Sequence, residues 1–200
     1  MTSTTTRLVA LAAAGLIAVG LSACGSDEGH GGGHGSMTGS ASPAASAADH
    51  DQADVMFSAM MVPHHLQAIE MAQLVPDRTQ DAKVRDLAER IRGAQQPEVD
   101  RMTTWLAAWG AAPMEDHAAM EGHGGDGMMS ADDLRELGTL RDAAFDRRWL
   151  EMMVEHHEGA VTMAEEVIRD GRHAETKALA EEIITAQQKE IAEMKGLLAD

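Results

Sequence analysis

The segment Met60–Ala72, MMVPHHLQAIEMA, and the segment Met152–Ala164, MMVEHHEGAVTMA, decide the architecture of this 200-residue chain. Each places paired methionines one helical turn before paired histidines and follows them with small residues at helical spacing. The two lie at a constant offset of 92 residues, and the match extends well beyond them. Asp54 corresponds to Asp146. Leu87, Ala88, Glu89, Ile91, Ala94, Gln95, Gln96, Glu98, Met102 and Leu106 correspond to Leu179, Ala180, Glu181, Ile183, Ala186, Gln187, Gln188, Glu190, Met194 and Leu198. Self-similarity at a fixed period marks one supersecondary unit used twice.

Each unit reads as a helical hairpin. Apolar residues recur at three and four positions, as in Val84, Leu87, Ile91, Met102 and Trp105, and no segment alternates with the period of a strand. The pattern predicts a first helix from about 51 to 75 that stops before Pro76, and a second from about 79 that ends before Gly110. A third covers roughly 142–170, closed by Gly171, and a fourth runs from about 173 to 198. Pro97, with Gly93 four residues earlier, predicts a kink that Lys189 in the other half does not repeat. Four amphipathic helices bury their stripes most simply as a bundle. The 111–130 connection is long enough to cross its length, so the expected fold is all-α, a ferritin-like four-helix bundle of two duplicated hairpins with one crossover. Ser130 followed by Asp133 predicts a capping box opening a short extra helix.

Ahead of this domain, residues 1–23 carry Arg7, an apolar run from Leu8 to Leu21 and small residues before Cys24. The run is short of the ~20 residues that span a bilayer, so it reads as a signal peptide. Its ending, LSAC, resembles a lipobox, which makes Cys24 the expected lipidation site and the outer face of the bacterial cell membrane the expected location. Residues 24–50 are a Gly/Ser/His tether in which His30, His34 and Met37 are candidate accessory metal donors. The bundle domain is expected over 51–200, with repeats at about 51–110 and 142–200. A single cysteine rules out an internal disulfide or a cysteine metal cage. A formal charge of −17 disfavours nucleic acid and favours cations.

At ~100° per residue, Met56, Met60, His64, Met71 and Leu74 share one stripe, and Met61 and His65 lie one step around it. Gln95 and Glu98 share the stripe of Leu87, Ile91 and Met102, level with about Met60 and Met61; Gln187, Glu190 and Met194 repeat this. Thioether sulfur is a poor ligand for magnesium, calcium or zinc and a good one for Cu(I), while imidazole suits both copper oxidation states. The candidate metal donors are therefore Met60, Met61, His64, His65 and Met71 with Met152, Met153, His156, His157 and Met163. Gln95, Glu98, Met102, Gln187, Glu190 and Met194 support or join them. The acidic crossover adds Met114, His117, Met120, His123, Met128 and Met129 as accessory donors.

The stretches FSAMMVPHHLQAIEMA and WLEMMVEHHEGAVTMA, each followed by a helix carrying AQQ and a glutamate and ending in Met and Leu, resemble the domain-of-unknown-function 305 family over about residues 50–200. The resemblance implies a ferritin-like four-helix fold, export and, for some members, copper binding and tolerance. Pro63 and Pro97 each occur in one half, which sets the two sites apart. The expected function is a non-catalytic, membrane-anchored copper-binding protein that buffers, stores or hands on copper, as Cu(I), with a copper-trafficking envelope protein as candidate partner. The alternatives are a copper or di-iron oxidase on such a bundle, or a structural protein of the envelope. Di-iron bundles use Glu-x-x-His, and no Glu stands three residues before any of the four histidines.

Overall fold

The computed structural model describes residues 49–114 and 127–199, and every regular element among them is a helix. They are α1 (Gln52–Arg78), α2 (Ala82–Ala108), α3 (Ala131–Thr139), α4 (Asp142–Asp170) and α5 (Ala174–Ala199). Cys24, His30, His34, Met37, His117, Met120 and His123 lie outside the described residues. No helix among those described is long and apolar enough to cross a membrane.

The helix ends follow local chemistry. Asp51 caps α1 by accepting from the amides of Ala53 at 2.9 Å and Asp54 at 3.2 Å, and Asp54 returns the favour to the Asp51 amide at 2.9 Å. The Ser130–Asp133 capping box does open α3. Two boundaries differ from the sequence reading. The first helix does not stop before Pro76 but continues to Arg78. Near a helix end the proline costs only its bond to the Ala72 carbonyl. The last turn is then held by the Thr79 amide on Val75 O at 3.2 Å and the Thr79 hydroxyl on Asp146 at 3.0 Å. The second helix starts at Ala82 because Asp81, not Thr79, supplies the cap, at 2.8 Å to Lys83 N and 3.0 Å to Val84 N. It runs unbroken through Pro97.

Helix α1 packs along α2, α4 along α5, and α1 against α4. The last pair is antiparallel, with the Trp149 indole donating to the Met71 carbonyl at 3.0 Å. Repeat-related aspartates fasten the ends. Asp54 accepts from the amides of Arg172 at 3.0 Å and His173 at 2.9 Å in the α4–α5 turn, and Asp146 accepts from Thr79 in the α1–α2 turn. Burial pushes the Asp54 carboxyl up, but the amides of Asp51, Arg172 and His173 outweigh it and hold it below its usual range. Asp146 has fewer donors, and burial leaves it above that range. This arrangement sets the midpoints of α1 and α4, where the histidine pairs stand, against each other.

Candidate metal centre

Because adjacent residues on a helix diverge by about 100°, each histidine pair serves two neighbours at once. His64 and His156 face one another across the α1–α4 interface, with ring centroids 3.7 Å apart and planes tilted by 34°. His65 and His157 turn instead to their own hairpin partners. The Nε2–H of His65 donates to Glu98 at 2.8 Å, and that of His157 to Glu190 at 2.9 Å. All four imidazoles have 0% exposure, whereas the two carboxylates keep 18% and 12%. Glu98 thus meets His65 rather than His64.

A carboxylate only accepts, so Nε2 carries the donated proton and Nδ1 is the ring nitrogen left for another partner. Nδ1 of His65 and of His157 are buried with no hydrogen-bond partner. Burial first, then the neighbouring His64, His157 and His65, hold His156 well below the usual imidazole range, so it is neutral. Both amide atoms of Gln95 and the Oε1 of Gln187 are also buried without partners, at 2% and 3% exposure. Buried polar atoms left this way are costly, which suits a centre built to receive an ion.

Buried methionines stand one helical turn before the histidines in both halves. Met61 stands one turn before His65 and Met102 one turn after Glu98, both fully buried in one apolar cluster that also holds Met163. The repeat-related Met153, Met194 and Met71 lie in a second cluster, together with Met152 and Met129. Burial departs from the predicted stripe. Met56, Met60 and Leu74 are only half-buried, while Met61 and His65 are fully covered. Helix α1 packs on both α2 and α4, so its buried face is wider than one stripe. Among the described residues, no three or more His, Cys, Asp or Glu are grouped to hold a metal. The donors on offer here are imidazole and thioether.

The ends of the crossover dock on this waist. Pro63 has no N–H for the Ala59 carbonyl, and that carbonyl takes the Met114 amide at 2.9 Å instead. Gln67, 6% exposed, clamps Met129, donating to its carbonyl at 2.9 Å and accepting its amide at 2.7 Å. Gly127, at φ +71°, lies so close to α4 that a Cβ would run into the Glu155 carbonyl oxygen. Gln67 was not among the candidate residues. Its signal was available, since it stands where the other half has Gly159.

The sequence profile described as Domain of unknown function (DUF305) matches residues 54–198. The chain belongs to the DUF305 family. A candidate secreted DUF305 protein from Streptomyces coelicolor is 36% identical, with a TM-score of 0.67 over 74% of this chain and 92% of that one. A DUF305 fragment from Deinococcus radiodurans is 32% identical, with a TM-score of 0.69 over 74% and 97%. CopM in its Cu(I)-bound form is 30% identical, with a TM-score of 0.61 over 72% and 94%. CopM has also been solved with Cu(II) and with Ag bound. The uncharacterized protein L153 of Acanthamoeba polyphaga mimivirus is 38% identical over 62 residues, so the match spans 41% of that curated relative.

Proposed function

We propose that this DUF305 protein is an exported copper-binding protein that buffers, stores or hands on Cu(I) from the core of a ferritin-like bundle made of two duplicated hairpins. The observation that carries the reading is the pair of buried imidazole nitrogens without partners at His65 and His157, each one helical turn after a fully buried methionine, Met61 or Met153. Imidazole and thioether together favour soft Cu(I) over Zn(II). Glu98 and Glu190 orient two of the rings, the usual work of a carboxylate behind a histidine ligand. The CopM structures with Cu(I), Cu(II) and Ag bound support copper as the metal.

Export rests on residues 1–23, read as a leader, and on the candidate secreted relative. Lipidation at Cys24 would hold the protein at the outer face of the membrane, with residues 24–50 as the tether. The decisive experiment is competition between the protein and a chromophoric Cu(I) chelator, repeated for Zn(II) with a zinc dye. The reading expects tighter Cu(I) binding that weakens in Met61→Leu and Met153→Leu. Equal or tighter zinc binding overturns it.

A further inference from the structure

We propose that a groove over the middle of α1 is a capture site through which a soft monovalent ion reaches the core, with Met128 and Met129 as its thioether donors and Gln67 as the residue that positions them. The proposal deepens the copper reading above and rests on it. The groove has a volume of about 550 Å³. Pro63, Leu66, Gln67 and Glu70 of α1 form one wall, and Met128 and Met129 stand on the other.

The repeat shows that this wall is a departure from the duplicated pattern. Between Met60 and Ala72 the halves differ at Pro63, Leu66, Gln67, Ile69 and Glu70, where the second half has Glu155, Glu158, Gly159, Val161 and Thr162. Four of those five differences line the groove. Leu66, in place of a glutamate, is 46% exposed and makes an apolar lip. Pro63 releases the carbonyl that anchors Met114, and Gln67 clamps Met129. Gly159 has no side chain to build such a clamp, so the second half cannot hold an equivalent segment.

The sulfur atoms then grade inward. Met128 is half-buried, Met129 is 8% exposed, and Met152 and Met153, in the same cluster as Met129, are fully buried one helical turn before His156 and His157. Gly127 brings this segment against the backbone of Glu155 and His156. Both polar ends of Gln67 are occupied by Met129, so Gln67 holds the donors rather than ligating. Glu70 supplies the wall with a carboxylate that attracts a cation, and paired thioethers select a soft one. The ion keeps its charge throughout; only ligands exchange.

The test measures how fast the full-length chain takes Cu(I) from a chromophoric Cu(I) chelator, by stopped-flow loss of the chelate colour, together with bound copper at the end point. Met128→Leu and Met129→Leu, which conserve volume, should load at least about tenfold more slowly, equivalent to a barrier raised by about 1.4 kcal/mol. The core should still fill, so end-point copper should fall by at most the one ion held in the groove. Gln67→Leu should slow loading with both thioethers present, and Gln67→Glu, which still accepts the Met129 amide, should recover part of the rate. Met56→Leu, away from the groove, should load like wild type. Wild-type rates in both Met128→Leu and Met129→Leu overturn the capture site, as does equal slowing in Met56→Leu. If Gln67→Leu fails to fold, the two methionine variants decide. A wild-type chain that takes up no Cu(I) overturns the copper reading itself.

Discussion

Acidification should destabilise the metal-free protein through His156. In the unfolded chain this imidazole takes up a proton below about pH 6.5. In the fold, burial and three neighbouring imidazoles keep it neutral well below that point. The unfolded state therefore binds the extra proton, and stability is lost as pH falls below the unfolded value. The limiting slope for one group is about 1.4 kcal/mol per pH unit, so going from about pH 7.5 to about pH 5.5 should cost about 1.4 kcal/mol from His156 alone. Urea unfolding of metal-free wild type and His156→Leu at both pH values measures it, because the variant lacks that imidazole in both the folded and the unfolded state. Wild type should lose about that much more stability than the variant between the two conditions. Equal losses would refute a neutral, buried His156. Asp54 does not confuse the window, since its depressed carboxyl matters only below the ordinary carboxylate range of about 4.

Glu98→Gln and Glu190→Gln should each weaken a charge-assisted bond to a buried imidazole, costing about 1–2 kcal/mol in chemical unfolding. They should also lower Cu(I) affinity about 10–100-fold in chelator competition. Gly127→Ala places a methyl against the Glu155 carbonyl at a positive φ and should destabilise by about 1–3 kcal/mol, seen as a lower Tm with faster amide exchange at Met129. Asp54→Asn keeps an acceptor for the Arg172 and His173 amides but loses its charge, so stability at neutral pH should fall by about 1–2 kcal/mol. Because the Asp54 carboxyl is depressed in the fold, its contribution is present above the ordinary carboxylate range and vanishes as pH falls through its folded value. The variant's stability should therefore be flatter than wild type in acid.

Hydrophobic spacing is enough to give the helices, and the 92-residue offset is enough to pair like residues of the two halves, because helical period and side-chain chemistry are local properties of the chain. The caps at Asp51 and Ser130 are local in the same sense: each aspartate or serine reaches amides within three residues of itself. Angular position on a helix does not say which neighbour occupies that angle. Only the packing of α1 on both α2 and α4 decided that His64 meets His156, that His65 meets Glu98, and that Met61 is covered more completely than Met60. The same holds for Pro63 and Gln67. One reads locally as a helix fault and the other as an ordinary polar residue, and both acquire their roles from Met114 and Met129, more than 50 positions away along the chain. Hydrogen bonds and burial between segments so far apart depend on where the folded chain places them, and that is settled by tertiary packing rather than by any pattern within one helix.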